Sequence, residues 1–382
     1  MMLPVGVDDR NNLIYENDVQ PIVIRTTERS NFKKCRVLWD FVSANRNNLE
    51  PVRQSMALVF GIAVHKGLEA YYNPEQWTVL SPTAKTDVAV YNFTQDLVNA
   101  RKLEIKDNNG SLSEEREQEY TEHLELGKGM LRHYGDWAPD EDEKLGLVPI
   151  AVEEKFQVPL YYPNSDDPVV INGRPVVYQV RIDLVARHEK EDGLINIWDH
   201  KTAANVGGDT SFLDLDTQIA SYTWAYQVKY GERVGGVMYN ELAKSYPKPP
   251  KVLKKGDLSQ DKRQNTTYEL YVKAIEDSGL DPEPYSAMLD HLASKANTHF
   301  RRTPIFKTTQ EIYNQGRYVV DEVLDMTDNP RIYPSPSKMN CGYCAFQGPC
   351  NINNEGGDVQ FVLDDSTLFR TRRGEDMADA SN

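Results

Sequence analysis

At 382 residues the chain is long enough for one large domain or two modest ones, with ample core. Its net charge of −15 argues against a nucleic-acid role built on overall charge, because phosphate binding draws on Lys and Arg. No signal peptide and no apolar run of membrane-spanning length stands out. With only four cysteines the chain therefore reads as cytoplasmic, with reduced thiols.

Taken in chain order, residues 1–20 read as a flexible, irregular arm. A helical region follows over 21–145. Ser30 caps a run through Cys35, Leu38, Trp39 and Val42, and helical spacing returns over 56–72, 85–103 and 113–134. The pattern changes at 146–245. Residues 147–160 alternate like a strand, 169–171 are β-branched, Asn172-Gly173 signals a hairpin, and strands are expected over 176–187 and 194–201. Helical spacing over 213–230 and a strand at 235–242 complete an αβββαβ order, a mixed α/β (α+β) fold class. A basic loop and helices over 262–277, 284–299 and 310–326 fill 246–335. A cysteine segment spans 336–352, and 353–382 reads as an acidic, disordered tail.

The cysteines are one near the start, Cys35, and three within ten residues near the end, Cys341, Cys344 and Cys350. Reduced thiols so clustered point to a metal centre rather than a disulfide. Structural zinc usually takes two Cys-x-x-Cys knuckles, and only one is present. Iron–sulfur clusters accept a three-plus-one layout with Pro beside a ligand, as at Pro349-Cys350, so a 4Fe–4S cluster is favoured over zinc. Either metal would clasp a loop of about 300 residues.

Charge is unevenly spread. Lys244, Lys248, Lys251, Lys254, Lys255, Lys262 and Arg263 lie within twenty residues, and Arg25, Arg29, Lys33, Lys34 and Arg36 surround Cys35. Solvated surface is the ordinary reading of both groups.

Asp199 and Lys201, two apart on an expected strand, project from one face while Trp198 and His200 face the other. Asp183 lies on the preceding strand, where antiparallel pairing would set it near Asp199. Two crowded carboxylates need a cation, and hard oxygen ligands suit Mg²⁺ or Mn²⁺. Asp-x-Lys is also an ordinary surface ion pair. His65, on an apolar helix, is either a core residue or a further ligand. Glu69 either orients that imidazole or is a helix-face acid. Gln218 and Tyr222 stand one turn apart on a helix, as a strand-holding pair or a core-edge hydrogen bond.

Together, Gly61-x-x-x-His65, Ile182-Asp183, Asp199-x-Lys201 and Gln218-x-x-x-Tyr222, in that order, resemble the PD-(D/E)XK nuclease superfamily, in its RecB-type branch. The cysteine layout resembles the iron–sulfur members of that branch, the AddB-like and CRISPR-associated exonucleases and their phage relatives. The likeness covers roughly residues 25–350 and implies a restriction-endonuclease-like core. It implies that His65, Asp183, Asp199 and the backbone carbonyl of His200 ligate Mg²⁺ or Mn²⁺. Lys201 would position or activate water, and Gln218 and Tyr222 would hold the DNA strand or support the site wall. Cys35, Cys341, Cys344 and Cys350 would hold a structural 4Fe–4S cluster.

The sequence does not decide whether Glu153 or Glu154 adds a ligand. Lys251, Lys254, Lys255, Arg263, Arg301 and Arg302 are candidate DNA contacts. The implied activity is a metal-dependent DNase, an exonuclease on ends or single strands, partnered with recombination, repair or phage replication proteins and not with a membrane. The rivals are a catalytically silent DNA-binding or assembly protein of the same fold and a zinc-stapled structural protein.

Overall fold

The computed structural model describes residues 2–108, 110–191, 193–295 and 297–372. A mixed sheet runs through the centre, with helices on both faces. Its principal strands are β1 (Ile22–Arg25), β2 (Leu147–Pro159), β3 (Arg174–His188), β4 (Ile195–Ala203), β5 (Val234–Ala243) and β6 (Phe300–Ile305). The principal helices are α1 (Thr26–Lys34), α2 (Arg36–Val42), α3 (Met56–Tyr71), α4 (Pro82–Asp107), α5 (Glu114–Leu145), α6 (Thr217–Tyr230) and α7 (Thr309–Thr327). Strands run in the order β6-β5-β4-β3. One edge of β3 is lined throughout by β2. Its other edge serves two neighbours: β1 pairs in parallel over Val176 to Gln179, and β4 pairs antiparallel over Leu184 to Arg187. Asp183 falls between them, where that edge has no ladder partner among the described residues.

Local chemistry explains most elements. Asn172 (φ 51°) and Gly173 (φ 75°) make the two-residue turn between Val170–Ile171 and β3. The Ser55 side chain accepts from the Leu58 N–H and starts α3. A Cβ at Gly127 or Gly135 of α5 would lie 1.9 Å from Phe93 Cζ or Thr86 Oγ1 of α4, so both glycines permit the close helix crossing. Helices α3, α4 and α5 cover one face of the sheet, against Leu184, Trp198, Met238 and Leu242. Helices α1, α2, α6 and α7 cover the other, against Ile182, Val185, Ile197 and Val237.

Four expectations need correction. The N-terminal arm is a hairpin, Pro4–Val7 against Leu13–Tyr15, anchored where Leu13 donates to Gln157 Oε1 at 2.9 Å. The helical region after it opens with a strand, β1. The helix expected over 284–299 is shorter (Ser286–Ser294) and leads into the edge strand β6. The tail is ordered to residue 372: a helix at Val359–Leu363 precedes Phe369–Thr371, which pairs with Leu49–Pro51. Residues 373–382 lie outside the described residues. The isolated sequence hides these strands because each is short and takes its stability from a distant partner.

Between β5 and β6, the segment 246–299 closes over its own small core of Leu258, Tyr271, Ile275, Tyr285, Met288 and Leu292. A fourth core packs the cysteine segment: Phe346 stacks on Phe41 and on Phe369 at centroid separations of 5.1 and 4.7 Å. Asn340 Nδ2 also donates to the Lys34 carbonyl at 3.0 Å. Protein contacts therefore join the cysteine segment to α1 and α2.

Candidate metal and nuclease site

The site grows from an irregularity shared by β2 and β3. Phe156, Val158, Val180 and Ile182 face the α6 side, but Val152 and Leu184 face the α3 side, followed by Ala151 and Val185 back on the first. Register is kept across the change, Val152↔Leu184 and Glu154↔Ile182. Each strand thus carries one displaced residue at the same level, Glu153 and Asp183. Glu153 takes φ 49°, a left-handed conformation that costs a non-glycine residue roughly 1–2 kcal/mol. Strain of this kind persists where the surroundings impose it, and it gathers at functional sites. It turns both carboxylates toward His65 on α3. His65 Nδ1 lies 3.5 Å from Asp183 Oδ1 and 3.8 Å from Glu153 Oε1, and the three residues can offer ligand atoms all within 4.8 Å of one another.

Asp199 and Lys201 stand on the α6 face of β4, as their spacing predicts, with Lys201 Nζ donating to Asp199 Oδ1 at 2.9 Å. Gln218 Nε2 donates to the buried Tyr222 hydroxyl at 2.7 Å. Asp183 Oδ2 accepts from the His200 backbone N–H at 2.6 Å, tying the strands together where their ladder ends. The His200 side chain points to the opposite face, where Asn240 Nδ2 donates to its Nδ1 at 2.9 Å and also reaches the Tyr134 hydroxyl at 3.1 Å. Tyr134 and Tyr72 share a 2.6 Å hydrogen bond, and Arg302 donates to both hydroxyls and pairs with Asp142 at 2.8 Å. This buried network braces β4 from behind.

The electrostatics follow from crowding. Burial pushes the His65 pKa down, but Asp183 and Glu153 more than compensate and raise it to about 10. Burial raises the Asp183 carboxyl, yet His65, His200 and Lys201 hold it well below the usual carboxylate range. Asp199 goes the other way, to about 6: burial raises it, Lys201 lowers it and the Asp183 charge raises it again. Burial lowers Lys201, and the charges of Asp199 and Asp183 override that and raise it. Burial keeps His200 neutral, near 3.

Glu153, left undecided with Glu154 by sequence, is the acid at the site. Glu154 instead accepts from the Tyr230 hydroxyl. The signal that could have found Glu153 is its place opposite Asp183 once β2 and β3 are aligned. Glu69 bonds Lys66 at 2.7 Å and is a helix-face acid. Lys251, Lys254 and Lys255 are exposed, and Arg263 is exposed beside Asp261, 2.8 Å away. Arg301 pairs with Glu241 at 2.5 Å. Arg302 as a DNA contact is a misreading: its side chain is 6% exposed, set between the Trp137 and Trp198 rings. The strand β6 that buries it was not foreseen.

The four cysteines are free thiols, each half-buried. Burial raises Cys344 and Cys350, and the charges of the other thiols, Cys35 included, raise them further. Among the described residues, no three of these sulfurs lie within 4.8 Å of one another. A cavity of about 1300 Å³ lies elsewhere, between α5 and the 246–299 segment, with a lining of mixed charge.

A family model described as the PD-(D/E)XK nuclease superfamily matches residues 27–351. The chain belongs to this superfamily. Its members are generally metal-dependent nucleases, and the candidate acidic metal site suits Mg²⁺ or Mn²⁺. No curated protein matches the chain in a sequence search. Among solved structures, the crystal structure of SSO0001 is similar over 67% of this chain and 94% of its own, at 11% identity and a TM-score of 0.27. A likeness that slight carries no argument. Among the described residues, no helix is long and apolar enough to cross a membrane.

Proposed function

We propose that this superfamily member is a divalent-metal-dependent deoxyribonuclease, working as an exonuclease on DNA ends or single-stranded regions in recombination, repair or phage DNA metabolism. The observation that carries the reading is the convergence of His65, Glu153 and Asp183; Asp199, paired with Lys201, lies outside that group but close enough to feel the Asp183 charge. One imidazole with several carboxylates fits Mn²⁺ or Mg²⁺, and the nitrogen donor favours Mn²⁺. Asp199 and the His200 carbonyl complete the ligand set in this reading. When bound, such an ion polarises the phosphodiester and lowers the pKa of a coordinated water.

The chain's own groups do the rest. Lys201, a third exposed, offers its ammonium to phosphate charge. Asp199, crowded by the Asp183 charge without a metal, would be held as the ionised carboxylate a cation needs once one is bound. Gln218 fixes the Tyr222 hydroxyl as part of the wall.

Cys35, Cys341, Cys344 and Cys350 are assigned to a structural 4Fe–4S cluster. A single tetrahedral zinc, with Zn–S about 2.3 Å, would draw its sulfurs to roughly 3.8 Å apart. The layout of one distant cysteine with three inside ten residues, and Pro349 beside Cys350, is what supports the cluster over zinc.

The test is digestion of end-labelled single- and double-stranded DNA with Mn²⁺ or Mg²⁺, by wild type, Asp199→Ala and Lys201→Ala. Metal-dependent cutting by wild type alone is expected, and three equally inert proteins would overturn the reading. Iron and sulfide analysis of anaerobically purified protein, with absorbance near 400 nm, tests the cluster. A colourless protein with stoichiometric zinc refutes it.

A further inference from the structure

The α3 face of the sheet carries a second feature beside the site. Helix α3 runs antiparallel to β4: the Tyr72 and Trp198 rings are 6.0 Å apart, His65 and His200 6.2 Å, and the position of a Gly61 Cβ is 3.9 Å from Thr202 Oγ1. Beyond Thr202, Lys244 follows the last residue of β5 and donates its backbone N–H to the Ala203 carbonyl at 2.7 Å. Its ammonium stands 5.8 Å from the Phe60 ring centroid.

Among the described residues no carboxylate lies within ion-pair distance of Lys244, although it is half-buried. The other basic residues of that stretch, Lys248, Lys251, Lys254, Lys255, Lys262 and Arg263, are exposed. A cation kept partly out of water without a counter-charge is costly unless an anion arrives. Burial lowers the Lys244 pKa, in agreement.

Gly61 matters for the same reason. A Cβ there would meet only the Thr202 hydroxyl, at 3.9 Å, so the helix flank is open at Gly61, with that hydroxyl beside it and the Lys244 ammonium near Phe60, one residue back. From His65 back to Phe60 the helix advances roughly 7.5 Å. That is on the order of the separation between neighbouring phosphates along one strand, so the flank reaches about one phosphate beyond the site.

The geometry points to this flank, from His65 past Gly61 and Thr202 to Lys244, as the subsite that holds the DNA backbone next to the cleaved phosphodiester, with Lys244 pairing a non-scissile phosphate. The inference rests on the DNA-nuclease reading. Lys244 is here a substrate-positioning residue, and the reacting groups are others.

The test measures binding of a labelled single strand and a labelled duplex in EDTA over a series of salt concentrations, and cleavage with Mn²⁺. Losing one phosphate contact should flatten the slope of log K against log[salt] by about 0.7 for single strands or about 0.9 for duplex. Binding at 0.1 M salt should weaken about five- to eightfold as a consequence. Lys244→Gln should show this loss with a raised KM and nearly unchanged kcat, Lys244→Arg should restore it, and Lys262→Gln should do neither. Gly61→Ala gives an independent arm: alanine favours the helix, so the melting temperature should hold or rise while KM for DNA rises.

An unchanged salt slope in Lys244→Gln, with wild type binding and cutting normally, overturns the subsite alone. A wild type that neither binds nor cuts DNA overturns the nuclease reading beneath it.

Discussion

Asp199 offers the sharpest test of the site's electrostatics, because it should be a destabilising residue in the metal-free protein. Its carboxyl is buried beside Asp183, and its pKa rises from 3.8 to about 6. A group whose folded-state pKa is raised binds more protons in the folded than in the unfolded chain. Stability is therefore unaffected below about pH 4, falls as pH rises from there to 6, and stays reduced above. The full effect is about 3 kcal/mol, at 1.36 kcal/mol per unit. Asp199→Asn removes the charge and keeps the shape. It also deprives Lys201 of its partner, a loss softened because that ammonium is a third exposed.

The net expectation at pH 8 in EDTA is a gain of about 1–2 kcal/mol, or roughly 2 °C in Tm for a chain of this length. At pH 4.5 the gain should vanish. Adding Mn²⁺ should raise the Tm of wild type and leave the variant nearly unmoved. A variant less stable than wild type in EDTA at pH 8, or one whose advantage persists at pH 4.5, refutes the crowding argument.

Other expectations concern separate contacts. His65 near 10 must give up a proton to bind a metal, so apparent Mn²⁺ affinity should rise about tenfold per pH unit between 6.5 and 8.5 by calorimetry, and a flat profile would remove His65 from the ligand set. Glu153→Gly should be more stable than Glu153→Ala by about 1 kcal/mol in urea titrations, because only glycine takes φ 49° freely. Equal stabilities would show no stored strain there. Gly127→Ala should lower stability by several kcal/mol despite the better helix propensity, since its Cβ would collide with Phe93, and a neutral result would contradict the crossing geometry. Cys344→Ala should harm folding and solubility more than chemistry, and a soluble variant with unchanged melting would count against a structural cluster.

Side-chain period and turn chemistry make much of this protein readable from one dimension. Asp199-x-Lys201 shares a face because a strand repeats every two residues, and Gln218 meets Tyr222 because a helix returns in four. Asn172-Gly173 turns where such a pair must. These are local rules, and sequence carries local rules directly. Glu153 and Glu154 are indistinguishable to them: alternation along β2 would send Glu153 away from Glu154's face without saying toward what.

Only the assembled sheet settles the choice, because the paired displacement of Glu153 and Asp183 exists only once β2 and β3 are in register and β4 departs at Asp183. Arg302 makes the same point from the opposite side. In sequence it is a basic residue near the end of the chain. In the fold the edge strand β6 carries it between two indoles and onto Asp142, 160 residues away. Burial depends on what packs from elsewhere in the chain, and spacing alone holds no record of that.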